Sequence, residues 1–175
     1  IARVVARQPE HIQSLFRTLP KIYINPAGEW NIGGPVSDCG LTGRKIVVDQ
    51  YGADCEIGGG AFSGKDPSKV DRSAAYMARK LALHTLHNNP SAQRIKVQLA
   101  YAIGVAEPVS YRIYDPTTST EYGLGNFTLE DLTPQAIIDN LHLQAPIYAA
   151  TARNGHFGVA PYEINGIKHY AWEGA

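Results

Sequence analysis

Two apolar periodicities stand back to back between residues 66 and 105, and together they restrict the chain to folds that lay a helix on a sheet. Val70, Ala74, Met77 and Leu81 recur at the spacing that lines one face of a helix. Asp66 as N-cap and Pro67 at the first helical position predict its start, and the pattern runs to about His87. From Arg94 the period changes. Ile95, Val97, Leu99, Tyr101, Ile103 and Val105 alternate with Lys96, Gln98, Ala100 and Ala102, which predicts a strand with one buried face. "EP" then turns the chain into "VSYRIYD", expected to be its antiparallel neighbour.

The flanks add shorter elements. Ile12, Leu15, Phe16 and Leu19 predict a helix over 9–19, ended by Pro20. "KIYIN" and "RKIVVDQY" read as strands around the turn-rich "NPAGEWNIGGP". Thr133 and Pro134 cap a short helix through Leu141, and "APIYAATARNGHFG" reads as a strand followed by a glycine-bounded loop. There are no repeats. This irregular alternation, with a hairpin, predicts α+β rather than a doubly wound parallel sheet. With 175 residues, 44% of them hydrophobic, the chain can bury a core in one large or two small domains.

Charge and cysteine usage exclude several partners. Sixteen basic and sixteen acidic residues cancel, so no global field favours nucleic acid or an anionic membrane. No stretch approaches the roughly 20 apolar residues of a membrane span, and no basic start with an apolar run marks a signal peptide. Cys39 and Cys55 lack C-x-x-C spacing and are too few for a disulfide framework, which suits a reducing cytoplasm. The chain starts at Ile1, as expected of a fragment or processed piece.

The chemistry concentrates between Asp38 and Arg72. Arg44, Lys45, Lys65, Lys69 and Arg72 lie there with Asp38, Asp66 and Asp71, interleaved with nine glycines from Gly33 to Gly64. Glycines allow close backbone approach, and Arg and Lys are the usual holders of phosphate oxygens. Gly59, Gly64 and Lys65 also satisfy the P-loop spacing G-x-x-x-x-G-K. The match breaks at Asp66, where a P-loop needs Ser or Thr for magnesium, and no strand directly precedes Gly59. Carboxylates beside phosphate-holding cations fit a bridging magnesium, with Asp71 and Asp38 as candidates. The plainer reading makes Asp66 a cap, Asp71 and Arg72 surface charges, and the glycines ordinary turns. Residue chemistry alone leaves both open. His156, in "NGHFG", reads as structural because no acidic or hydroxyl partner adjoins it; His84 and His87 are too few for a zinc site, and Phe62 and Tyr101 read as packing residues.

"GGPVSDCGLTGRKIVVDQYG" and "GGGAFSGKDPSKVDRSAAY", followed in order by "YAIGVAEP", "PIY" and "GHFG", resemble the S-adenosylmethionine synthase (methionine adenosyltransferase) family over nearly the whole chain. The resemblance implies an enzyme that joins ATP and L-methionine, with water, into S-adenosylmethionine, phosphate and diphosphate. It assigns Arg44, Lys45, Lys65 and Lys69 to the phosphates, with Arg44, Lys65 and Lys69 as catalytic cations. It assigns Asp71 to magnesium, Asp38 to methionine or ribose, Trp30 to the adenine, and Ala61 and Ile103 to positions near the substrates. Two magnesium ions per site and a potassium ion are implied. So is a homodimer or homotetramer with the active site at the subunit interface.

The family's fold is three similar α+β domains built from interleaved segments. The expected division is 1–33, the end of one domain; 34–72, a central-domain segment; and 73–175, the third. Ile57 stands where the family often has His, "ADCE" replaces a more glycine-rich loop, and the stretches 115–127 and 159–171 diverge. The family's N-terminal segment, with its catalytic His and further methionine, potassium and adenine contacts, has no counterpart. The chain alone is therefore expected to be inactive, and a non-catalytic polyphosphate-binding relative is the alternative.

Overall fold

The structure is a computed structural model of the chain and describes residues 2–17, 28–29, 31–40, 43 and 45–174. It divides into two compact units, residues 1–40 and 41–175. In the first, α1 (Ala2–Val5) and α2 (Glu10–Leu15) precede a 3-10 turn at Gly34–Val36. The expected helix over 9–19 is found at Glu10–Leu15, where Pro9 offers its carbonyl to Ile12 and Gln13. None of its residues is buried. Leu19, Pro20 and the strand expected at "KIYIN" lie outside the described residues.

The second unit is built on one long helix. After a single helical turn, α3 (Ile46–Asp49), comes α4 (Val70–Asn88), whose Ala74, Met77 and Leu81 are buried as the periodicity requires. Its start lies three residues later than expected. The Asp66 carboxylate accepts from the Ser68 amide at 2.8 Å and from the Ser68 hydroxyl, so it closes its own turn instead of capping the helix. Against α4 lies an antiparallel sheet of β1 (Lys96–Ala100), β2 (Ser110–Tyr114) and β3 (Glu121–Tyr122), with Val97 opposite Ile113 and Leu99 opposite Tyr111.

α5 (Pro134–Asn140) begins as expected, with the Thr133 hydroxyl accepting from the Ala136 amide. α6 (Tyr148–Asn154) and a hairpin of β4 (Tyr162–Ile164) and β5 (Ile167–His169) follow. Met77, Leu81, Leu132, Ile137, Leu141, Leu143, Ile147 and Trp172 form the core where α4 meets α5 and the C-terminal turn Ala171–Glu173. The end of the chain is clamped to α4: Arg79 donates through Nε and Nη2 to Glu173, which also accepts from the Gly158 amide at 2.8 Å.

Three sequence expectations are corrected. "RKIVVDQY" is not a strand, since 46–49 form α3. Among the described residues no strand pairs with it, so Asp49 donates back to the Lys45 carbonyl at 2.9 Å instead. The strand from Arg94 stops at Ala100, where the Val109 amide donates to the Ala100 carbonyl at 2.8 Å and closes the hairpin. Ile103 and Val105 therefore sit exposed on the connecting loop. Half of "APIYAATARNGHFG" is the helix α6 and not a strand, because its alanines lose almost no side-chain entropy on becoming helical. The β4–β5 hairpin turns at Asn165-Gly166, a pair typical of hairpins; both residues take positive φ, 52° and 76°, as a tight hairpin turn demands.

Candidate functional site

The glycine loop 58–66 is anchored by its one buried aromatic. Phe62 is 4% exposed and meets the rings of His156 and Tyr76 edge-on at 4.9 and 5.7 Å. Past this anchor the chain reverses at Gly64, whose φ of +88° disfavours any side chain, and Lys65 donates its amide to the Phe62 carbonyl at 3.2 Å. Phe62 thus behaves as the packing residue expected. So does Tyr101, which packs on the core and donates its hydroxyl to the Leu132 carbonyl at 2.7 Å.

The turn sends the Lys65 side chain back onto the first turn of α4, where its ammonium lies 2.9 Å from Asp71 Oδ2. Asp71 is half exposed and Lys65 about a third, so the pair contributes little to stability and stays reachable from solvent. Gly60 makes room for it. A Cβ on Gly60 would fall 2.2 Å from Asp71 Cγ, so a larger residue would drive the carboxylate away from the lysine. Lys69 stands beside them, exposed, with its ammonium 3.6 Å from Asp66 Oδ2 and 3.2 Å from the Ser68 hydroxyl. The Ser68 hydroxyl and amide hold the Asp66 carboxyl below its usual range.

Of the residues singled out from sequence, the structure therefore brings Lys65 and Asp71 together, sets Lys69 against Asp66 instead, and leaves Ala61 half-buried in the loop. Lys45 is exposed just before α3. Ile103 stands fully exposed on the β1–β2 loop. In the first unit, exposed Asp38 accepts from the Gly40 amide at 2.8 Å. Arg44 and Trp30 lie outside the described residues. Arg72 is neither a surface charge nor an open phosphate ligand, being only 3% exposed beneath the loop. Gly60 and Arg72 are the two contributors whose roles the spacing did not reveal; a glycine run beside an acidic helix start was the available signal for the first. No cluster of three His, Cys, Asp or Glu among the described residues stands close enough to share a metal ion. His84 packs edge-on against Phe127 at 5.1 Å. A cleft of about 810 Å³ opens beside Asp71 and Gly60, between α4 and β1, floored by Ala74, Ala78 and Leu99.

Behind the loop, His156 is 1% exposed, its Nδ1 2.7 Å from the Tyr76 hydroxyl and its Nε2 3.4 Å from Ser63 Oγ. Burial, aided by the Arg72 guanidinium and opposed by Asp49, pushes it from the usual 6.5 down to about 4. His156 is thus a neutral structural ring whose hydroxyl partners come from distant sequence. Between those two values the unfolded chain binds a proton that the folded chain refuses. The contribution of His156 is fully present above pH 6.5 and is lost as pH falls toward 4. The urea midpoint is expected to drop between pH 7 and pH 5, with a slope of up to ~1.4 kcal/mol per pH unit from this group. His156→Gln should flatten that drop, and a parallel pH profile would contradict the assignment.

The family model for the S-adenosylmethionine synthetase C-terminal domain matches residues 32–173. The S-adenosylmethionine synthase of Pelagibacter ubique is 50% identical, over 87% of this chain and 39% of its own length. That of Christiangramia forsetii is 45% identical over 99% of this chain and 43% of its own. The solved structure of an unusual S-adenosylmethionine synthetase from Campylobacter jejuni superposes with a TM-score of 0.66 at 36% identity, covering 94% of this chain and 46% of that one. The chain thus spans less than half the length of these relatives, and its mixed helix-and-sheet architecture is the α+β fold of that structure. With the family model covering most of the chain, the protein belongs to the S-adenosylmethionine synthetase family, in the region of its C-terminal domain.

Proposed function

We propose that this chain supplies the phosphate-holding part of a methionine adenosyltransferase active site. The observation that carries the reading is the solvent-reachable Lys65–Asp71 pair, held at 2.9 Å where the glycine loop meets α4. An ammonium and a carboxylate that already touch are two halves of a metal-triphosphate site. Lys65 can exchange Asp71 for phosphate oxygens, and Asp71 is then free to face a cation.

In this reading methionine sulfur attacks ribose C5′ while the bond from C5′ to the triphosphate oxygen breaks, leaving tripolyphosphate for hydrolysis. Negative charge grows on the leaving group, so Lys65 and Lys69, with Arg44, act most strongly as that bond breaks. Lys45, Ala61, Asp38, Trp30 and Ile103 are proposed substrate contacts, carried by family resemblance. A lone, half-exposed carboxylate suits magnesium, which is held by one or two carboxylates plus substrate phosphates. Bound there, magnesium would neutralise phosphate charge. Asp71 is the residue proposed to hold it, and a second magnesium and a potassium ion are proposed to rest on groups outside these assignments. The proposal includes the division at 33 and 72 into parts of three domains, a homo-oligomer that completes the site, and a cytoplasmic location. Among the described residues no helix is long and apolar enough to cross a membrane.

The test is Asp71→Asn in an active synthase that carries this chain. The amide keeps the size of the carboxylate but loses its charge, so the magnesium concentration for half-maximal rate is expected to rise severalfold. A magnesium titration that overlays the parent would leave Asp71 as a partner of Lys65 only.

A further inference from the structure

Arg72 is the least exposed charged side chain of the glycine-loop region, and among the described residues no carboxylate pairs with it. Its Nη1 donates to the Lys65 carbonyl at 2.7 Å, and its guanidinium lies 4.3 Å from the centre of the Tyr148 ring and 6.0 Å from that of Tyr76. Its Nε is buried without a partner. A guanidinium held this way is less well compensated than one with a carboxylate, and a neutral side chain of equal volume would avoid the desolvation. Stability alone is therefore a poor account of an arginine here. Its geometry is more informative: Asp71 and Arg72, consecutive on α4, grip the same residue at opposite ends, one at the ammonium and the other at the carbonyl.

We propose that Arg72 is a positioning residue for Lys65, fixing its backbone from beneath while its ammonium exchanges Asp71 for the departing polyphosphate. The proposal rests on the functional reading above. The ion pair with Asp71 aims the ammonium only while Asp71 is free to hold it. When phosphate and cation separate the pair, the buried grip on the carbonyl keeps the lysine's root in place, and the Tyr148 ring of α6, 4.3 Å from the guanidinium, holds the arginine there. The grip is one hydrogen bond from a planar, permanently charged head that also meets the Tyr148 ring, for which lysine is a poor substitute.

The experiment compares Arg72→Lys and Arg72→Met with the parent in the complete synthase, by amide hydrogen exchange over residues 60–68 and by steady-state kinetics, each also in a Lys65→Ala background. Faster exchange in 60–68 is expected for both variants, larger for Met. kcat should fall by roughly 10- to 100-fold, the scale of a misplacement of about 1 Å at a reacting centre, with KM for ATP changing less. That loss should vanish once Lys65 is already Ala. Unchanged exchange over 60–68, or an Arg72 penalty that persists in full without Lys65, overturns the proposal. If exchange rises but Lys65→Ala itself leaves kcat at the parental value, the grip stands and the catalytic reading of Lys65 falls. Should Arg72→Met fail to fold, Arg72→Lys carries both readouts, because it keeps the charge and much of the volume.

Discussion

Lys65→Ala, in an active synthase carrying this chain, is expected to lower kcat by roughly 100- to 1,000-fold while KM for ATP moves much less. The size follows from what the side chain does. Phe62 fixes the loop's base, Gly64 reverses it, and the Lys65 ammonium meets Asp71 at the start of α4, about a third exposed to solvent. In the proposed reaction a donor fixed beforehand would add little to ground-state binding of a triphosphate whose charge magnesium would partly neutralise. It gains strength as the C5′ oxygen takes up the bonding electrons. Removing it should therefore show in kcat, read by comparing kcat and KM under saturating methionine. A rise confined to KM would make Lys65 a uniform binding group. Truncation also leaves Asp71 without its 2.9 Å partner, so part of the loss could come from a wandering carboxylate.

The largest stability effect is expected at Trp172→Ala, at about 3–5 kcal/mol. Trp172 is fully buried, stacks on Tyr76 with ring centres 3.9 Å apart and planes 12° apart, and donates from Nε1 to the His156 carbonyl at 2.7 Å. Alanine would open a cavity between α4 and the C-terminal turn and leave that buried carbonyl without its donor. With typical domain stabilities of about 5–15 kcal/mol, such a loss removes a large share of the whole. Urea unfolding followed by tyrosine fluorescence would measure it. Val48→Ala is the contrast, because Val48 is 78% exposed and should change stability by less than about 0.5 kcal/mol. Equal shifts for the two variants would mean that the core is not where the structure places it.

The fold was most legible where a single period ran long enough to outvote local chemistry. The stripe of Ala74, Met77 and Leu81 is buried as the sequence required, and β1 and β2 pair antiparallel around Val97 and Ile113. Ends were less legible, because they depend on which hydrogen bond wins. Asp66 could cap a helix or close a turn onto Ser68, and only the folded chain decides between them. "IVVD" has strand composition, but a strand needs a partner, and among the described residues α3 has none. The site was legible as chemistry and illegible as geometry. Spacing and the glycine run drew attention to Lys65, Lys69 and Asp71, and family resemblance supplied their roles. Nothing in the linear order said that Gly60 must stay small to admit Asp71, that Arg72 turns inward, or that Tyr76 would reach His156 across 80 positions. Those are facts of close approach in three dimensions.

The central claim is that this chain holds the polyphosphate cations of a methionine adenosyltransferase site that other segments complete. Joining the chain in frame to the N-terminal part of the Pelagibacter ubique enzyme, its 50% identical relative, tests this directly. Product is assayed by mass spectrometry after incubation with ATP, methionine, magnesium and potassium. The account predicts S-adenosylmethionine from the joined protein, none from the 175 residues alone, and almost none from the joined protein carrying Lys65→Ala. Turnover by the 175 residues alone, or full turnover by the Lys65→Ala protein, would contradict it.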